Sequence, residues 1–315
     1  MEDLYEILIV GAGPAGLTAG LYGSRSNLKT VIIEKGLPGG QLLNTEVIED
    51  YTGFEHITGV ELAQKMEAHA RKFGVEIKTS EEIKSIRRVG GLFEVKTDEN
   101  TYHSITVIVT AGGAAQKLGV PGEDAYSGRG VSYCAVCDGA FFNGQVITVV
   151  GGGDAAVEEA NYLTRFGSRV YVAHRRSEFR AQKILQDQLF QNPKAEVIWD
   201  TVVEEIKGNA EVNRVVLKNL KTGEVREHPS EGVFIFIGFK PNTYFLDGHP
   251  AHDESGHLIT NDRMETNIPG LFAAGDLRSQ LVRQITNAVG DATIAALAAE
   301  KYITNLKHKQ SEASA

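Results

Sequence analysis

Short apolar runs bounded by glycine set the rhythm of this chain. Residues 6–10 form a strand-like run that passes directly into Gly11-Ala-Gly13-Pro14-Ala15-Gly16, after which Leu17, Leu21 and Tyr22 recur at helical spacing. A second apolar run, residues 31–33, ends at Glu34. Some 140 residues later the same grammar returns. Residues 146–150 lead into Gly151-Gly-Gly153-Asp154-Ala155-Ala156, then a helix pattern with Val157, Ala160, Leu163 and Phe166 on one face. A run over 170–173 follows and ends at His174. The recurrence predicts two copies of one βαβ unit in an α/β fold. Further on, residues 232–238 read as a buried strand broken at Lys240-Pro241, and 271–273 as a short strand before the turn Gly275-Asp276. Residues 291–306 have a helical pattern, and the polar tail 307–315 reads as frayed.

A G-x-G-x-x-G turn carries meaning only between a strand and a helix, with an acidic residue about 20 positions on. The first copy meets these conditions. Gly11 makes the tight turn, Gly13 lets the backbone approach a pyrophosphate, and Gly16 packs helix against strand. The helix N-terminus then offers free N–H groups to phosphate oxygens. Glu34, 23 residues after Gly11, can accept hydrogen bonds from an adenosine ribose. A glycine-rich turn without a ligand is the bland alternative. In the second copy the equivalent position is His174, followed by Arg175, Arg176 and then Arg180. A carboxylate there would repel a 2′-phosphate, whereas guanidinium groups bind one bidentately. The second site is therefore expected to take NADP(H) and the first an unphosphorylated ribose, unless the basic residues are only a solvated run. Two dinucleotide sites in one chain suggest a flavin in the first and a nicotinamide in the second. Gly275-Asp276, a strand-ending turn whose carboxylate could reach ribityl hydroxyls, fits the flavin side.

The only cysteines, Cys134 and Cys137, stand 14 residues or more before the second glycine turn, in Ser132-Tyr-Cys-Ala-Val-Cys-Asp138-Gly. Two cysteines exclude a multi-disulfide framework and a four-cysteine zinc site. Their spacing suits a pair that cycles between dithiol and disulfide through a mixed disulfide. Asp138 is well placed to pass a proton to a departing thiolate. No histidine lies beside the pair at ligand spacing, so no metal is expected. Half of a metal site and two inert buried cysteines are the competing readings.

Size and charge narrow the picture further. At 315 residues the chain exceeds what one core usually organises, so two domains are expected. A formal charge of -9 disfavours nucleic acid as a partner. No apolar stretch approaches the roughly 20 residues that span a bilayer. The opening has no basic start or cleavage site, and a cytoplasmic location is expected.

Along almost its whole length the sequence resembles the low-molecular-weight, bacterial-type thioredoxin reductases. The matching stretches are the first glycine turn, Gly39-Gly40-Gln41-Leu42, Gly119-Val-Pro-Gly-Glu123 and Gly130-Val-Ser-Tyr-Cys-Ala-Val-Cys-Asp-Gly-Ala-Phe-Phe142. They continue through the second glycine turn, His174-Arg-Arg-x-x-x-Arg180-Ala-Gln, Ala273-Ala-Gly-Asp276 and Arg283-Gln284-Ile285. The resemblance implies two Rossmann-like, three-layer α/β domains. An FAD-binding domain would comprise residues 1–118 and 243–315, with an NADPH-binding domain, 119–242, inserted and carrying the CxxC. It further implies a homodimer that passes hydride from NADPH to FAD, then electrons to the Cys134–Cys137 disulfide and on to thioredoxin. Cys137 would face the flavin, Cys134 would attack the thioredoxin disulfide, and Asp138 would be the acid–base residue. FAD contacts would fall on Pro14, Ala15, Lys35, Gly40, Gln41, Leu42, Asn44, Asp50, Ala111, Gly112, Arg283, Gln284 and Ile285, besides the first turn, Glu34, Gly275 and Asp276. NADPH contacts would fall on Gly151, Gly153, Asp154, Ala155 and Ala156, on the basic cluster, and on Gly238. If disulfide and nicotinamide share one flavin face, the inserted domain must alternate between two arrangements, with hinges at 119–123 and 238–242. The chain departs from the family at Asp50, usually Asn, where a carboxylate cannot donate as an amide does. It also departs at Thr110-Ala-Gly112 and at Asn287-Ala-Val-Gly290. The alternative is a related flavin disulfide reductase serving another dithiol carrier or a small-molecule disulfide.

Overall fold

A computed structural model describes residues 4–45 and 47–314. In β1 (Leu4–Val10), Ile7 and Ile9 enter one apolar cluster while Tyr5, Leu8 and Val10 enter another. The strand is thus buried on both faces, which is why its sequence is an unbroken apolar run rather than an alternation. Pro14 opens α1 (Pro14–Arg25), where its missing N–H removes no helical bond. Gly20 and Gly23 are buried in that helix, and a Cβ at Gly20 would lie 2.7 Å from Cδ1 of Ile32. Glycine thereby lets α1 lie close to β2 (Thr30–Ile33). A 3-10 turn, Gly40–Asn44, and the ribbon of β3 (Val47–Ile48) and β4 (Ile57–Thr58) follow. Thr58 and Glu61 form a reciprocal capping box at the start of α2 (Gly59–Lys72). The strands β5 (Glu76–Lys78), β6 (Ile83–Val89), β7 (Leu92–Thr97) and β8 (Thr101–Val109) complete this stretch.

After β9 (Gly113–Ala115) a second unit begins with β10 (Val131–Ser132) and the single turn α3 (Ala135–Asp138). The repeat then unfolds as β11 (Val146–Gly151), α4 (Asp154–Leu163) and β12 (Arg169–Ala173). Val157, Ala160 and Leu163 are fully buried, but Phe166, expected on the same face, lies past the helix end. There α4 has stopped, and the Phe166 N–H bonds the carbonyl of Leu163 instead. Next come α5 (Lys183–Phe190), β13 (Ala195–Ile198), the antiparallel β14 (Thr201–Gly208), β15 (Val212–Asn219) and β16 (Val225–Pro229), and β17 (Gly232–Phe236). A parallel sheet in the order β10-β17-β11-β12-β13 carries the second glycine turn, and β14-β15-β16 forms a separate sheet.

The expected break at Lys240-Pro241 is instead β18 (Phe239–Pro241), which pairs with β9. Pro241 lacks a donor, yet it ends a two-stranded ribbon, where such a loss is tolerated. The chain returns through β19 (Leu271–Ala273) to α6 (Ile285–Ser314). That helix starts earlier than expected and continues through the segment read as frayed; Ala315 lies outside the described residues. Lys, Gln, Glu and Ala in the tail are good helix formers, and Lys307 Nζ meets Glu6 Oε1 at 2.6 Å. Strands β5-β2-β1-β8 run parallel, and β8 divides its outer edge between two partners. Thr101–Ser104 pairs antiparallel with β7, while Val107–Val109 pairs parallel with β19.

Two compact units result, Met1–Ala114 with Lys240–Ala315, and Ala115–Phe239. Each contains a Rossmann-type parallel sheet. The chain passes between the units within the β9–β18 ribbon, not at residues 119–123. Those residues form an ordered turn inside the second unit, where buried Glu123 accepts the N–H groups of Leu118 and Gly119 at 2.9 and 2.7 Å. No helix among the described residues is long and apolar enough to cross a membrane.

Candidate active site

In the first unit the strand order changes direction beside β1, and the crevice at such a switch point is where α/β sheets bind ligands. Gly11 sits there at φ +97°, and a Cβ on it would meet the Thr110 carbonyl oxygen at 2.9 Å. A Cβ on Gly16 would lie 1.8 Å from the Gly11 oxygen, so only glycine lets α1 approach the turn. Gly13 is different: its nearest would-be neighbour is Gly40 Cα at 3.8 Å, leaving the space before it open. α1 has no side-chain cap and no acidic residue in its first turn, so its free N–H groups face that space unopposed. Glu34 closes the turn from the side, accepting the N–H groups of Ala12 at 2.7 Å and Gly36 at 2.8 Å. A cavity of about 60 Å³ adjoins it, lined by Gly11, Glu34, Lys35, Glu81, Ala111 and Asn242 among others.

Other expected residues gather in the same unit. Gln41 Nε2 donates to the Gly113 carbonyl at 2.9 Å, Leu42 is buried, and Asn44 is exposed at the end of the 3-10 turn. The carbonyls of Ala111 and Gly112 accept the side-chain and backbone N–H groups of Asn242, each at 2.9 Å. Asp50 is exposed in a bend before Tyr51. After β19, Gly275 at φ +82° donates its N–H to Asp291 Oδ2 at 3.1 Å. Among the described residues nothing donates a hydrogen bond to the Asp276 carboxylate. Burial pushes its pKa up; Arg283 counteracts this and Asp291 adds to it. Arg283 Nη2 contacts His257 Nε2 at 2.7 Å, and Gln284 and Ile285 stand at the start of α6.

The second turn is built alike but locked differently. α4 also lacks a side-chain cap on Gly153, and a Cβ on Gly153 would meet nothing within 4 Å. Ala155 is exposed beside it and Ala156 is buried against the sheet. Asp154 is engaged by Gln182, through its backbone N–H at 2.7 Å and side chain at 3.2 Å. His174 is 5% exposed, with Nδ1 2.7 Å from the Gly151 oxygen and Nε2 2.9 Å from the Glu178 oxygen. Burial, and then Arg176 and Arg175, hold its pKa below the ordinary histidine value against the pull of those two carbonyls. A Cβ on Gly152 would come within 2.1 Å of the imidazole. The Arg180 N–H bonds the Gly152 oxygen at 2.8 Å. Arg175, Arg176 and Arg180 are exposed, and no carboxylate among the described residues pairs with any of them. Gly238, at φ +141°, accepts the Gln116 N–H at 2.8 Å.

Cys134 and Cys137 form a disulfide within the second unit. Cys134 is the N-cap of α3, its Sγ accepting the Cys137 N–H at 3.2 Å. An amide aimed at this sulfur favours thiolate character once the pair is reduced. Ser132, buried in β10, donates from Oγ to Asp138 Oδ2 at 2.6 Å and accepts the Cys134 N–H at 3.1 Å. A redox disulfide and two nucleotide-type turns therefore share one chain.

Residues 5–292 match the family model described as pyridine nucleotide-disulphide oxidoreductase. The chain belongs to that family. A thioredoxin reductase of Bacillus subtilis is 49% identical over 307 residues, 97% of each chain. The crystal structure of thioredoxin reductase from Streptococcus pyogenes shares 50% identity, covers 97% of this chain and 100% of that one, and has a TM-score of 0.93. The crystal structure of Lactococcus lactis thioredoxin reductase in its FR conformation shares 47% identity over 96% of this chain and 99% of that one, with a TM-score of 0.65.

This pyridine nucleotide-disulphide oxidoreductase uses a flavin and a nicotinamide nucleotide. Its residues fit both groups, because each glycine turn leaves open space where a Cβ would otherwise project and each following helix lacks a cap. Sequence reasoning missed several contributors. Asp291 holds the Gly275 turn from 16 residues away, and Ser132 bridges Asp138 and Cys134. Ser132 stood within the quoted motif, so its position two residues before Cys134 was the available signal. No local pattern marked Asp291.

Proposed function

We propose that this chain is an NADPH-dependent thioredoxin-disulfide reductase with FAD in the first unit and NADPH in the second. The observation that carries the reading is the difference between Glu34, bonded to its own turn, and three arginines after the equivalent strand that no carboxylate among the described residues pairs. The bound flavin supplies acceptance of hydride from the nicotinamide and delivery of two electrons to the disulfide. For its part the protein binds and orients. Gly11, Gly13 and the α1 N-terminus would hold the FAD pyrophosphate, with Glu34 toward the adenosine ribose and Asp276 toward ribityl hydroxyls. Pro14, Ala15, Gly16, Lys35, Gly40, Gln41, Leu42, Asn44, Asp50, Ala111, Gly112, Gly275, Arg283, Gln284 and Ile285 are the further flavin contacts the reading assigns. Gly151, Gly153, Asp154, Ala155, Ala156 and Gly238 would line the NADPH turn, with Arg175, Arg176 and Arg180 on the 2′-phosphate.

On the thiol side, the Cys134 thiolate attacks one sulfur of the thioredoxin disulfide, forming a mixed disulfide and releasing a thioredoxin thiolate that takes a proton through Asp138. Cys137 then attacks Cys134 sulfur, restoring the Cys134–Cys137 bond and freeing the second thioredoxin thiolate. A cytoplasmic homodimer is the setting that the family resemblance supports. Stopped-flow reduction of the flavin tests the coenzyme assignment. Changing Arg175 and Arg180 to Ala should weaken NADPH by several kcal/mol at most, since charged hydrogen bonds are worth roughly 1.5–3 kcal/mol each. NADH kinetics should barely move, and an equal loss for both coenzymes would remove the assignment.

A further inference from the structure

His174 cannot satisfy its surroundings as a neutral ring. Its two nitrogens lie 2.7 and 2.9 Å from the carbonyl oxygens of Gly151 and Glu178. Carbonyl oxygens only accept, so each contact needs an N–H, and a neutral imidazole has one. The other nitrogen would turn its lone pair toward an oxygen lone pair at hydrogen-bond distance. The doubly protonated ring suits both contacts.

Other features of the site oppose that second proton. The ring is buried against the contacting side chains of Phe179 and Trp199, and burial, Arg176 and Arg175 all favour the neutral form. The remaining charged groups on neighbouring elements do not offset this. Asp154, at the start of α4, is engaged by Gln182, and Asp200, after β13, pairs with Lys221 at 2.9 Å. Lys183 and Asp187 on α5 pair with each other at 3.0 Å, while Glu178 and Arg180 of its own loop are exposed. No carboxylate among the described residues contacts the ring. Two carbonyls that suit the charged ring thus face burial that opposes it, and the arginines add to the opposition.

We propose that His174 takes up a proton when a 2′-phosphate docks on Arg175, Arg176 and Arg180, and that the doubly protonated ring then ties the glycine turn to the arginine loop. This rests on the reading of the second turn as an NADP(H) site. A phosphate dianion cancels the like charges that add to burial in opposing the second proton, so binding and protonation favour each other. His174 is then a positioning residue for coenzyme choice, since a nucleotide without the 2′-phosphate brings no charge to the arginines. By linkage, affinity for the 2′-phosphate rises as pH falls through the ring's titration, until the phosphate itself protonates near a pKa of about 6. Gly152 belongs to the device, because any side chain there would displace the ring.

Titration calorimetry on the full-length protein measures the coupling directly. 2′,5′-ADP and 5′-AMP would be titrated at about pH 7 in buffers of different ionisation heat, into wild type and His174→Gln. For wild type, 2′,5′-ADP should draw in protons and 5′-AMP should not. In His174→Gln the uptake should vanish, leaving only the release expected as the phosphate binds as a dianion. Nitrogen-15 spectra of histidine-labelled wild type should add one ring protonated on both nitrogens when 2′,5′-ADP is present, a readout independent of how the variant folds. Equal proton counts in wild type and variant, or a ring that stays singly protonated in the complex, would overturn the proposal. Failure of 2′,5′-ADP to bind more tightly than 5′-AMP would instead remove the NADP(H) reading, and this proposal with it.

Discussion

Oγ of Ser132 lies 2.6 Å from Oδ2 of Asp138 and 3.1 Å from the amide nitrogen of Cys134. One buried hydroxyl thus holds the proposed acid and the backbone of the proposed attacking sulfur in a fixed relation. Ser132→Ala should slow thioredoxin reduction about ten- to a hundredfold, because a hydrogen bond to a charged group is worth about 1.5–3 kcal/mol. NADPH oxidation by a dye that takes electrons before the disulfide should keep its rate, and Ser132→Thr should recover most of the loss. A parallel fall in both assays would mean the serine only supports the fold.

The two cysteines should separate by spectrum. Cys134→Ser should still bind flavin and accept hydride but fail to reduce a disulfide. It leaves Cys137 as the lone sulfur, which the proposed roles set beside the flavin, and a long-wavelength charge-transfer absorbance should appear. Finding that band in Cys137→Ser would reverse the two roles.

Glu159 on α4 should show itself in stability. Its Oε2 is buried without a hydrogen-bond partner among the described residues, and burial, with Glu158 adding to it, pushes its pKa up to about 6. A raised carboxyl pKa means the folded state keeps the proton longer than the unfolded chain. Its contribution is full below the ordinary carboxyl pKa and is lost as pH rises through about 6. Glu159→Gln should therefore gain about 1 kcal/mol at about pH 8, allowing for partial solvent screening, and nothing near pH 4.5. Thermal unfolding at the two pH values would reveal it; a loss of stability at the higher pH would contradict the account.

The repeat was legible because both copies are buried parallel strands joined by a glycine turn, features that leave an apolar run and a fixed spacing. Glu34 and His174 stand in the same register, Val10 beside Ile33 and Val150 beside Ala173, as the spacing indicated. What could not be read was that His174 turns inward, since that depends on Phe179 and Trp199 closing over it. Nor was the length of α6 legible. Apolar periodicity fades near Leu306, and the last turns rest on helix propensity and on the Lys307–Glu6 pair. The first crossing point was misread because Gly-Pro sequences at 119–123 look like a linker, although Glu123 fastens them into the second unit; the return crossing falls within 238–242.

The β9–β18 ribbon sets the entropy of the whole arrangement. The outgoing and returning strands are hydrogen-bonded neighbours, with the Gly112 carbonyl taking the Asn242 N–H at 2.9 Å and the Gly238 carbonyl taking that of Gln116 at 2.8 Å. Seen from the first unit, a whole second fold is no wider at its base than a hairpin. The enclosing unit bears a closure penalty closer to that of a tight turn than to that of a long loose loop, because the inserted fold itself holds the ends together. Such an insertion is portable: replaced by a short turn between Ala114 and Lys240, it would leave the enclosing sheet with every strand it now has.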